Sequence, residues 1–120
     1  MVTCSIVVER VCRLPRDCRL VNTKSLIQLA AEIGLPAHRH CVTSSAVESQ
    51  LLTQPDWVDD WLLWSADQRS SPAWYFCEDE EGYVVGYSPN GEKKRFTNRT
   101  SACTQFVIQV IENILATMAN

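Results

Sequence analysis

From Thr100 onward apolar residues recur at helical spacing. Cys103, Val107, Val110, Ile111, Ile114, Leu115 and Met118 fall on one stripe, and Gln105, Gln109, Glu112 and Asn113 fall opposite. This predicts a long helix, capped by Thr100 and running to about Met118, that lies on a sheet and builds most of the core. Upstream the period changes. Ala73 to Cys77, Tyr83 to Tyr87 and Lys93 to Thr97 are short runs rich in aromatic and β-branched residues. Glu80-Glu81-Gly82 and Pro89-Asn90-Gly91 separate them with hairpin chemistry. The expectation is a three-stranded antiparallel meander. One face carries Trp74 and Phe76, and the neighbouring strand offers Tyr83, Val85 and Tyr87.

The first half predicts smaller helices. Asn22-Thr23 is placed as the cap of a helix from Lys24 to Ile33, where Leu26, Leu29, Ala30 and Ile33 share a stripe. Gly34 and Pro36 stop it. His38 to Thr43 reads as a connector. Ser45-Ala-Val-Glu48 has the capping-box pattern and opens a helix to about Leu52, with Pro55 beyond it. Asp56 caps a segment that puts Trp57, Trp61 and Trp64 on one helical face; a strand is the competing reading. The indole stripe is expected in the core. Ser5 to Val11 is β-branched and reads as a strand. Arg10, Arg13, Arg16 and Arg19 then interleave with Cys12, Leu14, Cys18 and Leu20 around Pro15, which breaks a helix there. Residues 1–23 are therefore expected to form a strand and a basic arm, and 24–120 the core of a single α+β domain.

Composition fits a folded globule: 120 residues, 46% hydrophobic and 21% charged. No apolar run approaches the ~20 residues that span a bilayer. The opening residues lack a basic start, and their apolar stretch is broken at Glu9, so no secretory signal is expected and the location expected is cytoplasmic. In a reducing compartment Cys4, Cys12, Cys18, Cys41, Cys77 and Cys103 are expected as free thiols. The net charge of −3 hides an uneven distribution. Residues 1–40 carry +3, residues 41–81 carry −8 and residues 82–120 carry +2. An acidic middle repels nucleic acid and suits a cationic partner, although the same charge would also serve solubility alone.

No catalytic constellation emerges. His38-Arg-His40-Cys41 is the densest group of potential metal ligands, but no third and fourth ligand stand at a standard spacing, so no metal site is expected. Cys103 would lie in the first turn of the last helix, where the dipole favours a thiolate, yet its place in the apolar stripe marks it as core. Asp56, Asp59, Asp60 and Asp67 supply carboxylates with nothing to fix a distance between them. Phosphate-binding loops and nucleophile elbows are missing, so neither a cofactor nor an enzyme activity is expected. Asn98-Arg-Thr100 matches a glycosylation sequon that a cytoplasmic chain would not use.

The stretch Trp61-Leu-Leu-Trp64-Ser-Ala-Asp67-Gln-Arg69-Ser-Ser-Pro72-Ala-Trp74-Tyr-Phe76, followed by Gly82-Tyr-Val-Val-Gly86-Tyr, a strand ending at Phe96 and a last helix opened by Ala102-Cys103, resembles small bacterial immunity proteins. These are encoded beside polymorphic or contact-dependent growth-inhibition toxins. The resemblance runs from about Lys24 to the end. It implies an intracellular protein that binds a cognate toxin domain, commonly a nuclease, and blocks it, with no nucleic acid or membrane as partner. Its aromatic and proline positions are structural and carry over no binding residues. The charge pattern supplies those instead: Glu78, Asp79, Glu80 and Glu81 on the first hairpin turn, with Asp59, Asp60 and Asp67 nearby. The rival expectation is a small ligand-binding or regulatory domain whose aromatic cluster lines a pocket.

Overall fold

The computed structural model describes residues 3–21, 23–67, 73–88 and 91–118. Among these the fold is α+β, with seven helices and a three-stranded antiparallel sheet on which the long last helix packs. The helices are α1 (Cys4–Cys12), α2 (Leu14–Val21), α3 (Leu26–Ile33), α4 (Leu35–His38), α5 (Ser44–Thr53), α6 (Asp56–Asp67) and α7 (Arg99–Met118). A 3-10 turn over Arg39–Cys41 follows α4. The strands β1 (Ala73–Asp79), β2 (Gly82–Ser88) and β3 (Lys93–Phe96) lie in sequence order.

The meander and the last helix agree with the sequence reading. Trp74 pairs with Tyr87, Phe76 with Val85 and Glu78 with Tyr83, so the inner face carries the expected aromatic set. Phe76 and Val85 are buried beneath α7, where Cys103, Phe106, Val107, Val110, Ile111, Ile114 and Leu115 close the core. Asn98, rather than Thr100, caps α7: its side-chain oxygen accepts from the Thr100 and Ser101 N–H groups. The sequon asparagine thus has a structural use. Of the second hairpin loop, Pro89 and Asn90 lie outside the described residues, as do Gln68 to Pro72 of the resemblance stretch.

The largest departure lies at the start. Residues expected as a strand and an arm are the helices α1 and α2. The β-branched run misled because Val7, Val8, Val11 and Cys12 also share one helical face, and burying that face outweighs the small loss of side-chain freedom. Pro15 sits in the first turn of α2, where its missing N–H removes no helical bond, so it starts the helix instead of breaking it. Three boundaries also move. Ser25 caps α3 in a reciprocal capping box with Gln28. Thr43 caps α5, leaving Glu48 free to accept from Ser101 Oγ on α7. The connector begins with helical residues from His38 to Cys41. Gly34, at φ 84°, ends α3 as anticipated.

The cysteine expectation is corrected in part. Cys4 and Cys41 form a disulfide that ties the first turn of α1 to the 3-10 turn, while Cys12, Cys18, Cys77 and Cys103 are free. The two partners are 37 residues apart, so nothing local in the sequence marks the pair. The tryptophan stripe is helical as preferred: Trp57 and Trp61 are buried and Trp64 half-buried. Trp61 stacks edge-on against Trp64 and Phe106, and its Nε1–H donates to the Cys12 carbonyl at 2.8 Å. No helix of the described residues is long and apolar enough to cross a membrane.

Candidate functional site

The first hairpin projects its acidic groups into solvent because its turn is too short to fold back on the sheet. Asp79 pairs with Gly82, leaving Glu80 and Glu81 as a two-residue connection. Gly82 has φ 137°, and a Cβ there would lie 2.5 Å from the Phe96 carbonyl oxygen, so this position requires glycine. Glu78, Asp79, Glu80 and Glu81 are all exposed. The Asp79 carboxylate accepts from the Glu81 N–H at 2.9 Å, and both its oxygens accept from Arg95 Nη1 at 2.7 Å. The Arg95 hydrogen bond, then that backbone bond, hold the Asp79 carboxyl below its ordinary pKa, and the same pairing raises Arg95. Glu81 lies 3.8 Å from Arg95 Nε, a looser contact.

Tyr83 links this turn to α6 and α7. Burial first, and then a hydrogen bond to Glu78 across the strand pair, push its hydroxyl pKa up; Arg99 and Asp59 act on the same hydroxyl. Arg99 and Asp59 are themselves an ion pair between α7 and α6. One end of the sheet therefore gathers five carboxylates, from Asp59, Glu78, Asp79, Glu80 and Glu81, against the guanidiniums of Arg95 and Arg99, a local charge of −3. Glu78 and Glu80 have no cationic partner within ion-pair distance among the described residues.

The remaining carboxylates proposed from sequence behave differently. Asp60 is 7% exposed and turned into the fold, where Arg16 Nε donates at 2.8 Å and Arg19 Nη2 at 2.5 Å. It fastens α2 to α6 and is not available to a partner. The side chain of Asp67, the last residue of α6, lies outside the described set. Sequence reasoning missed the counter-charges: Arg95 and Arg99 on the acidic end, and the Arg16–Arg19 clamp. The clamp was legible in principle, since residues three apart share a helical face, but only once Leu14 to Val21 is read as a helix.

Of the free thiols, Cys12 and Cys103 are buried. Burial pushes the Cys12 thiol up to about 12 and the Cys103 thiol well above its ordinary value, with Cys12 adding to the rise at Cys103 and Arg99 opposing it. Trp61 and Phe76 are both buried against Phe106, so this part of the aromatic cluster fills the core. A cleft of about 230 Å³ lies between α1, α2 and α3, lined by residues including Arg10, Arg13, Asp17, Leu29 and Glu32, without an aromatic wall. His40 Nε2 stands 3.7 Å from Cys41 Sγ, and its ring centroid is 6.3 Å from that of His38. No family model matches the chain, and neither a curated protein nor a solved structure matches it.

Proposed function

We propose that this chain is an immunity protein that neutralises a cognate toxin domain, a nuclease, by stoichiometric binding in the cytoplasm. The observation that carries the reading is the acidic end of the sheet, where Glu78, Asp79, Glu80, Glu81 and Asp59 project from a hairpin and a helix braced by the core. A domain that cleaves RNA or DNA must be basic where it meets phosphate. A fixed array of carboxylates competes for that surface, accelerates encounter and needs no chemistry of its own. The sequence resemblance supplies the class of partner, and the patch supplies where it would bind. The packing of Phe106 against both Trp61 and Phe76 favours this over an aromatic-lined ligand pocket.

The test is co-expression with the open reading frame directly upstream. The parent chain is expected to restore growth and to co-purify with that product at one-to-one stoichiometry. Replacing Glu78, Asp79, Glu80 and Glu81 together by their amides should weaken binding while leaving the helical circular-dichroism signal unchanged. A quadruple variant that binds as tightly as the parent removes the acidic turn from the interface. Failure of the parent to protect removes the immunity reading itself.

A further inference from the structure

The disulfide between α1 and the 3-10 turn has a neighbour that its structural role does not explain. Cys4 Sγ, Cys41 Sγ and a ring nitrogen of His40 all lie within 4.8 Å of one another, where three ligand atoms could share an ion. Cys41 Sγ and His40 Nε2 are 3.7 Å apart. A thiolate at ~2.3 Å and an imidazole nitrogen at ~2.0–2.1 Å from one tetrahedral zinc stand about 3.6 Å apart, so this pair is already at ligand spacing. We propose that, once the Cys4–Cys41 disulfide is reduced, these three side chains bind one Zn²⁺, so that the same junction of the fold is closed by a disulfide under oxidising conditions and by a metal under reducing ones.

The chemistry favours this donor set. Two thiolates and one neutral imidazole are soft-to-borderline ligands that prefer zinc over calcium or magnesium, and their charges cancel those of the ion. Cys4 is the first residue of the nine-residue helix α1, where the dipole stabilises a thiolate. His40 is exposed and Cys41 buried, so the site lies at the surface with one side open to a water or a further ligand. The exchange balances with a thiol reductant. Two thiols reduce the S–S bond by exchange, becoming one disulfide and leaving two Cys thiols. Zinc then displaces the two thiol protons to solvent and binds both sulfurs and His40 Nε2, while the imidazole keeps its proton on Nδ1. Sequence reasoning stopped at His38, His40 and Cys41 because Cys4, the third ligand, comes from the far end of a 37-residue separation.

The experiment uses the whole chain, stripped of metal and reduced with a phosphine, titrated with Co²⁺ as a spectroscopic substitute and then with Zn²⁺. The reduced parent is expected to take up one equivalent of cobalt with a thiolate-to-cobalt charge-transfer band, which zinc bleaches, and its melting temperature should rise on adding zinc. The oxidised parent should show neither effect. Cys4→Ser should abolish the band. His40→Ala, a change at an exposed residue that should not disturb folding, should weaken binding beyond the roughly tenfold to hundredfold that losing a supporting hydrogen bond costs. Cys77→Ser, on the exposed outer side of β1, should change nothing. A reduced parent that binds no cobalt through thiolate, or binding unaffected by His40→Ala, overturns the proposal.

Discussion

Asp60 and Asp79 are both carboxylates held by arginine, and burial makes their consequences differ. Asp60 is nearly buried while Arg16 and Arg19 remain partly in water. Asp60→Ala would cut both contacts, but the released guanidiniums can rehydrate. The expected loss is about 1–3 kcal/mol, less than for a pair buried on both sides, and urea unfolding monitored by tryptophan fluorescence would measure it. Asp79 is exposed, and its meaning is a pH dependence. Its pKa is depressed on folding from an ordinary 3.8, so its contribution is fully present at neutral pH. That contribution declines below the ordinary value and is gone once pH has fallen through the depressed folded value. The stability difference between the parent and Asp79→Asn should therefore close as pH falls through that acid window, whereas a difference that persisted there would point to a cause other than ionisation.

At the scale of elements, three junctions hold the fold. The apolar stripe of α7 covers the sheet, and Ile111 is 2% exposed within it. Ile111→Ala should destabilise by about 2–5 kcal/mol in chemical denaturation; a loss well under 1 kcal/mol would mean that the site collapses to fill the space. The Cys4–Cys41 bond closes a loop of 37 residues, for which unfolded-state entropy gives about 3–4 kcal/mol. The metal-free Cys4→Ser variant should melt well below the oxidised parent, which differential scanning calorimetry would register. The first hairpin depends on Gly82, where alanine meets both an unfavourable φ and the Phe96 carbonyl. Gly82→Ala should lose about 1–3 kcal/mol and shift the β2–β3 amide signals.

At the scale of the molecule, charge is segregated. The acidic end of the sheet is fixed by α6, β1, β3 and α7, so a partner would meet it with little reorganisation. If the cognate toxin binds there, association should slow steeply with added salt, because exposed charges are screened beyond ~8–10 Å at physiological ionic strength. Dissociation should change far less. Stopped-flow association rates across a salt series would show it, and a flat series would place the interface on apolar surface instead.

Much of this was legible along the chain because the signals were local and redundant. The stripe from Cys103 to Met118 and the alternation of Trp74, Phe76, Tyr83, Val85 and Tyr87 each repeat one preference many times, so single departures do not change the element. The exposure of Glu78 to Glu81 followed from their placement on a tight turn. What required the tertiary structure was each feature set by a partner distant in sequence. Val7, Val8 and Val11 have strand-like side chains, and only packing of their shared face makes them helical. Asp60 looked like its neighbour Asp59 until Arg16 and Arg19, more than forty residues away, turned it inward. Cys4 and Cys41 meet only because α1 packs beside the 3-10 turn. A local pattern fixes which face of an element is apolar, because periodicity is a property of consecutive residues. It does not fix which polar or sulfur-bearing side chains meet, because such pairings depend on how those faces are docked.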